Sequence, residues 1–333
     1  MKGLTDIPGL RVGHSTNLDA ITGCTVILCE GGAVAGYDVR GSASGTAEFF
    51  VMDPGHISGR IHAVCLAGGS AFGLDAGTGV RNFLERQGVG FKTSHTVVPI
   101  VPTAILYDLG IGKSSVRPTA ESGALACEAA TDYAVLEGAV GAGTGATVGK
   151  ARGKDRAMKS GIGSATVRLG GEHEGVLVSA IAAVNAYGDV RDPATGQIIA
   201  GARVSEESMD FANTARMLID GRKNEVSTNP LRGENTTLVV VATNARLDSV
   251  QARKLAQLSQ IGMTNAISPV HTMVDGDLVI ALSYGTQSAN MMALGAAAAE
   301  VVGQAIVRAV KFAPTMDGFR GLAPSTPAPE SPH

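Results

Sequence analysis

The apolar positions fall into two patterns, short β-branched runs and longer Ala-rich stretches, as expected of a domain that mixes strands and helices. The pattern predicts strands over residues 10–14, 22–29 and 33–39, with Gly31-Gly32 as a turn signal. A strand over 61–66 runs into Ala67-Gly68-Gly69-Ser70 and a helix through Asn82 and Arg86, stopped by Gly88. Residues 99–113 read as an apolar loop or short strand carrying Tyr107, and 121–136 as an Ala-rich helix. Adjacent strands follow over 162–169 and 175–184, the second ending at Asn185. Residues 205–218 read as a helix capped by Ser205, with Glu206 and Glu207 in its first turn. The polar segment 219–234 is expected to be an exposed, mobile loop leading into Asn235. From Thr236 a valine run without clean alternation reads, by its length and β-branched content, as a core strand. Asp248 or Ser249 caps a helix carrying Val250, Leu255, Leu258 and Ile261 and closed by Gly262. A strand over 278–282 and a buried Ala-rich helix over 288–312 complete the pattern, and the Pro-rich segment 314–333 is expected to be disordered. No internal repeat is visible.

Composition narrows the class. With 333 residues the chain is one large domain or two ordinary ones, and 44% hydrophobic content is ample for a core. Forty-four glycines, 4% aromatics and no Trp point to tight turns and close backbone packing rather than an aromatic binding platform. A net charge of −3 with both signs scattered excludes a basic patch, so nucleic acid is not an expected partner. Cys24, Cys29, Cys65 and Cys127 lie in apolar runs without a CxxC pair and read as buried, reduced thiols. No apolar signal region and no apolar run of membrane-spanning length is seen, so a cytoplasmic protein without a membrane partner is expected.

Two motif-like stretches fail on inspection. The turn at Gly68-Gly69-Ser70 follows a strand and precedes a helix, but a serine-hydrolase elbow needs glycine where Phe72 stands, and the dinucleotide G-x-G spacing is missing. Its glycines read as close helix–sheet packing. The stretch ending in Gly149-Lys150 looks like a phosphate loop, yet Thr144 replaces its first glycine and Ala151 stands where magnesium binding needs Ser or Thr. ATP is therefore not expected, although a glycine-rich backbone lets Lys150 approach a reacting centre. His14, His62, His95 and His271 show no metal spacing and read as structural.

One stretch carries a chemical possibility. Thr236-Thr237 is either a plain strand start or, after a cut at Asn235–Thr236, a new N-terminus. An N-terminal threonine supplies its own base, an α-amine whose ordinary pKa of about 7.7–8.0 leaves a neutral fraction near pH 7. In the intact chain the same hydroxyl can attack the Asn235 carbonyl and form an ester that water opens.

Gly233-Glu234-Asn235-Thr236-Thr237 before a valine strand, together with His271-Thr272-Met273-Val274-Asp275-Gly276-Asp277, resembles one family. It is the self-cleaving aminopeptidase family of L-aminopeptidase/D-esterases and β-peptidyl aminopeptidases, which includes the nylon-oligomer hydrolases. The similarity spans nearly the whole chain and includes Leu66-Ala67-Gly68-Gly69, Tyr107-Asp108 and Gly141-Ala142-Gly143-Thr144-Gly145. The resemblance implies a single α/β catalytic domain, an N-terminal-nucleophile-hydrolase-like αββα sandwich. It also implies autocleavage into an α chain (1–235) and a β chain (236–333), and a homotetramer of the processed units.

By resemblance Asp275 and Asp277, 39 and 41 residues after Thr236, sit beside the nucleophile and orient its amine. Both reach one site only if Gly276 bends the backbone, and read alone an Asp-Gly-Asp is an ordinary turn. Some members carry Ser and Glu here, so the acidic pair is closer to the nylon-hydrolase branch. Tyr107 and Asn185 match the oxyanion donors, and Lys150 matches an active-site lysine that tunes the neighbouring amine. Read alone, these are a core tyrosine, a strand-end residue and a loop lysine.

The resulting expectation is a self-processing amidohydrolase or aminopeptidase with Thr236 as nucleophile. It acts on short peptides or amino-acid amides with a free amino terminus, an acidic residue holding the substrate ammonium, and needs no cofactor or metal. Endo-type hydrolysis of 6-aminohexanoate oligomers is the alternative within the class, and an unprocessed binding or scaffold protein, or an acyltransferase to an amine, lies outside it.

Overall fold

The computed structural model describes residues 1–222 and 234–324; the expected loop at 219–234 falls largely outside them. Strand β1 (Arg11–Asn17) pairs antiparallel with β2 (Thr22–Val39), an 18-residue strand where the pattern predicts two strands around a turn. The Gly31-Gly32 step does not reverse the chain. The register shifts between Leu28 and Ala33, and Gly32, at φ 83°, bends the strand there. One strand thereby serves two sheets. The first half of β2 pairs with β1 and β4 (Ile61–Ala67), and β4 leads on to β5 (Thr103–Ile105) and the short β3 (Gly45–Ala47). Its second half pairs with β9 (Leu278–Gln287), which continues to β8 (Thr236–Ala245), β7 (Leu177–Asn185) and β6 (Ile162–Arg168). The β8–β9 pair is parallel, and β7 runs antiparallel to β8.

Side-chain alternation along these strands builds four layers. From β8, Leu238, Val240 and Ala242 face inward, meeting Ile27 of β2 and Val64 and Leu66 of β4 between the sheets. Val239 and Val241 face outward and pack with Leu255 and Ala256 of α4 (Ser249–Ala266) and Ala298, Val302 and Ile306 of α5 (Met291–Lys311). On the far side, Val26, Leu28, Ala63 and Cys65 meet α1 (Ala76–Arg86) and α2 (Ala120–Glu128). The fold is an αββα sandwich. Burial on both faces explains why the Thr236 run lacks alternation.

Several elements differ from the sequence expectation. Helix α2 stops at Glu128 rather than reaching 136, because Thr131 leaves to pair with Val12 of β1. The helix expected over 205–218 shrinks to α3 (Thr214–Ile219), capped by Asn213; Ser205 Oγ instead closes a turn onto Ser208 N at 3.2 Å. Helix α4 runs through Gly262, where any Cβ would overlap the Ala299 carbonyl of α5; the glycine permits close packing and ends nothing. Asp248 is the cap as expected, but Val250 and Ile261 are exposed. The Gly68-Gly69 turn makes room for the Asp108 carboxylate, and α1 and α2 approach instead through Gly79 and Gly123. The segment 314–324 is not a free tail: Pro314 bridges Ala323, Met316 bridges Phe319, and Phe319 is buried with Ile21, Ile111 and Ala157. All four cysteines are buried and free, as expected. Helix α5, at 21 residues with an 18-residue window of mean hydropathy 1.4, has the length and apolarity of a membrane span, yet 67% of that window is buried in the fold.

Candidate active site

Thr236 opens β8 at the end where three strands converge. It pairs with Asn185, the last residue of β7, and an Asn235–Asp275 bridge extends the parallel register between β8 and β9 by one more pair. The register brings Asn185, Thr236 and Gly276 side by side. Asn235 and Thr236 are 0% and 1% exposed, so the bond between them is sealed from bulk water.

Two donors meet on the Asn235 carbonyl oxygen. Thr236 Oγ1 donates at 2.5 Å and the Gly276 amide at 2.7 Å. The Asn235 side chain donates through Nδ2 to the Val274 carbonyl at 3.1 Å, while its buried Oδ1 has no partner. Gly276 is not at a left-handed φ, so it does not bend the chain as expected. Strand alternation already puts Asp275 and Asp277 on one side. What the glycine supplies is space: a Cβ there would lie 2.7 Å from both Thr236 Oγ1 and the Ala43 carbonyl.

Lys150 enters from the glycine-rich loop, whose Gly149 sits at φ 70° against the backbone of Gly201 and Ala202. Its Nζ donates to Asn185 Oδ1 at 2.7 Å, Glu234 O at 3.2 Å and Asn185 O at 3.3 Å, three acceptors for the three N–H groups of an ammonium. Burial pulls its pKa down to about 7, against the opposing pull of Asp275, Glu234, Asp108 and Asp277. Asn185 is fully specified by its neighbours. Oδ1 accepts from Lys150 and from Thr147 N at 3.1 Å, while Nδ2 donates to Tyr107 O at 2.8 Å and Glu234 O at 3.3 Å.

Tyr107 thus meets Asn185 through its carbonyl, and it also lines a cavity of about 250 Å³ with Lys150, Glu234, Ile111, Ala157 and Phe319. Partial burial and the charges of Glu234 and Asp108 raise its pKa, which keeps the phenol protonated and able to donate. The aspartates hold backbone rather than open space. Asp275 accepts from Tyr187 N at 3.1 Å and from the amide and hydroxyl of Thr272. Asp277 accepts from Thr237 N at 2.7 Å and from His271 N at 2.9 Å and Nδ1 at 3.2 Å. Burial, then the Asp277 charge, lifts the Asp275 carboxyl to about 6.

Of the six residues singled out from the sequence, Lys150, Asn185, Tyr107, Asp275 and Asp277 therefore come together around the sixth, Thr236. Sequence reading missed the Gly276 amide, the Thr147 amide behind Asn185, and His271 against Asp277. It also missed Lys159, fully buried, whose Nζ ties the carbonyls of Gly143 (3.3 Å), Ala146 (2.9 Å) and Ser160 (2.5 Å) beneath the glycine-rich loop. The backbone contacts leave no mark on residue type; only strand register reveals them. A larger cavity, about 870 Å³, opens at the opposite end of β8 and β9 beside Arg246 and Tyr284, and none of the candidate residues lines it.

The chain is similar to known proteins along nearly its whole length. A Mycobacterium leprae (strain TN) protein named as an uncharacterized aminopeptidase is 37% identical over 349 residues, covering 96% of this chain and 92% of its own. A 6-aminohexanoate-oligomer endohydrolase of Kocuria sp. (strain KY2) is 31% identical over 323 residues, covering 92% of this chain and 85% of its own. Among solved structures, an L-aminopeptidase D-Ala-esterase/amidase from Ochrobactrum anthropi, described as a variant of the Ntn hydrolase fold, superposes with a TM-score of 0.71. The match is 17% identical and covers 97% of this chain and 91% of that one. A Burkholderia sp. beta-aminopeptidase gives a TM-score of 0.67 at 22% identity, with coverage of 97% and 91%. The two likenesses show the fold. Peptidase family S58 matches residues 2–323, and with relatives above 30% identity along nearly the whole chain, this protein belongs to that family and is a hydrolase of amide bonds.

Proposed function

We propose that the chain cuts itself at Asn235–Thr236 and then acts as an aminopeptidase or amidase through the freed Thr236. The observation that carries this reading is the Thr236 hydroxyl lying 2.5 Å from the carbonyl oxygen of the peptide bond it would break, inside a buried site. In the first step Oγ1 bonds to the Asn235 carbonyl carbon, the C–N bond breaks, and the proton passes to the departing Thr236 nitrogen. Water then opens the ester, leaving an Asn235 carboxylate and a free α-amine. In turnover that amine takes the Oγ1 proton as the hydroxyl attacks a substrate amide, hands it to the leaving amine, and water frees the acyl group.

Lys150 favours the neutral amine beside it by repulsion and holds Asn185 in place. Once residues 234–235 withdraw, Asn185 Nδ2, the Tyr107 phenol and the Gly276 amide are donors free to meet a substrate oxyanion. Asp275 and Asp277 fix the loop that faces Thr236. They do so by accepting from Tyr187, Thr272, Thr237 and His271.

A second reading within the class is endo-type cleavage of linear 6-aminohexanoate-like oligomers, the activity named for similar endohydrolases of Kocuria sp. and Agromyces sp.. Lys150 and Asn185 both grip the Glu234 carbonyl, so the site has donors on the acyl side of the bond it would cut, as an endo-type cut requires. Intact mass tests the shared first step: a species of about 10 kDa beginning at Thr236, beside one of about 24 kDa, is expected from the 33.8 kDa chain. A single stable chain would defeat both readings. Comparing amino-acid anilides with 6-aminohexanoate oligomers as substrates then separates them.

A further inference from the structure

We infer that the backbone amide of Gly276 is the oxyanion donor for self-cleavage, distinct from the Tyr107 and Asn185 groups. The inference rests on the Thr236 reading above and adds a reacting-atom contact to it. As Oγ1 adds to the Asn235 carbonyl, the carbonyl oxygen takes up negative charge. The N–H already aimed at that oxygen is that of Gly276, at 2.7 Å. Asn185 Nδ2 does not point there; it spans the Tyr107 and Glu234 carbonyls, one residue upstream.

The donor is held from every side. The Asp275 carbonyl accepts from Ala43 N at 2.9 Å, and the Asp277 carbonyl from Arg40 N at 3.0 Å and Gly41 N at 3.1 Å. The flanking carboxylates are tied to Tyr187 and Thr272 on one side and to Thr237 and His271 on the other. A donor fixed this way does not reorganise as charge develops, which is the condition under which such donors accelerate acyl transfer most. The arrangement also accounts for glycine between the two aspartates: with the amide aimed at the Asn235 carbonyl, a Cβ on residue 276 would come within 2.7 Å of Thr236 Oγ1. Each acidic side chain acts on the reaction by clamping one end of that peptide unit.

The test replaces the amide and nothing else. Full-length chain carrying glycolic acid at position 276, introduced by nonsense suppression, has an ester oxygen where the N–H was. Its rate of conversion to α and β chains, followed by intact mass after purification, is expected to fall by about 10²–10³, the loss seen for single oxyanion donors. A control with lactic acid in place of Ala43 removes one hydrogen bond to the same loop without touching the reacting carbonyl, and it is expected to slow cutting far less than the ester at position 276. An ester chain that cuts as fast as the unmodified one overturns the assignment. So does equal slowing of both ester chains, which would mark loop stability alone. If the glycolate chain does not fold, the uncut Thr236→Ala chain decides. A scalar coupling between the Gly276 amide nitrogen and the Asn235 carbonyl carbon supports the bond, and its absence overturns it. An unmodified chain that never cuts at Asn235–Thr236 refutes the Thr236 reading itself, and this assignment falls with it.

Discussion

Lys150 Nζ and Asn185 Oδ1 are joined by a 2.7 Å hydrogen bond that decides which way the Asn185 amide faces. With Oδ1 held by the ammonium and by Thr147 N, the amide nitrogen must point to Tyr107 O and Glu234 O. Lys150→Met leaves Oδ1 with one donor and removes the cation beside Thr236. Self-cleavage and turnover are expected to fall by about 10²-fold or more, on the scale of a lost charge-assisted contact at a reacting centre. Lys150→Arg should not restore them, because a planar fork cannot match three acceptors arranged for an ammonium. Single-turnover rates on the three proteins check this, with a Tm measurement to show that each is folded.

The same lysine predicts a pH signature. Its folded pKa, about 7, lies below the ordinary 10.5, so between these values the unfolded chain binds more protons than the folded one. Stability then rises with pH across that window, and below about 7 the folded state carries the full cost of the buried charge. Lys150→Met loses this slope. The wild-type chain should gain stability over the variant, both kept uncut by Thr236→Ala, as pH rises from 7 towards 10. Urea midpoints at three pH values read the difference, and a parallel pair of curves would contradict the assignment.

How much of this was legible beforehand follows from what residue types reveal. The Thr236 strand was readable from the residues themselves; the αββα layering and the cluster of Lys150, Asn185, Asp275 and Asp277 around it were readable through family resemblance. The single 18-residue β2 was not, since a Gly-Gly pair marks a turn and a bend alike. Helix ends failed at Glu128 and Gly262 for a related reason. At the first a distant strand takes the chain away; at the second the glycine serves packing against α5. Gly276 was singled out only as a hinge, because its contribution is a backbone N–H, and every residue except proline has one.

Thr236 itself gives the sharpest contrast. Thr236→Ala keeps the strand and its pairing with Asn185 but has no nucleophile, so an intact, folded and inactive 33.8 kDa chain is expected. Thr236→Ser keeps the hydroxyl and should still cut, more slowly, because without the γ-methyl its χ1 is less restricted. Mass spectrometry over a time course distinguishes the three chains. A cut Thr236→Ala protein would remove this residue from the chemistry.

Asp277 links the nucleophile strand to the facing loop by accepting from Thr237 N and from His271. Asp277→Asn retains one acceptor oxygen but turns an NH₂ group towards a donor in a fully buried place. A destabilisation of about 1–3 kcal/mol is expected from the donors left unmet. Self-cleavage should slow as well, since Thr237 is no longer fixed beside Thr236. Urea unfolding in the Thr236→Ala background isolates the first effect, and the cutting rate of Asp277→Asn alone reports the second. Unchanged stability would show that the loop is held without this carboxylate.

Phe319 carries the segment 314–324 into the site. It is 5% exposed, packs on Ile21, Ile111 and Ala157, lies under Lys154 with Nζ 5.4 Å from the ring centroid, and walls the cavity beside Tyr107 and Lys150. Phe319→Ala removes a whole ring from this cluster, so a loss of about 3 kcal/mol is expected, the low end for a buried aromatic because one side already faces a cavity. The ring lines a cavity that Thr236 itself does not line, and it should hold substrate equally well in the ground and transition states. KM should therefore rise with kcat nearly unchanged, and self-cleavage, which needs no bound substrate, should keep its rate. A chain ending at residue 313 should reproduce the KM effect and lose at least as much stability, since it removes the same ring together with the bridges at Pro314 and Met316. A fall in kcat with KM constant would instead place Phe319 against the reacting atoms.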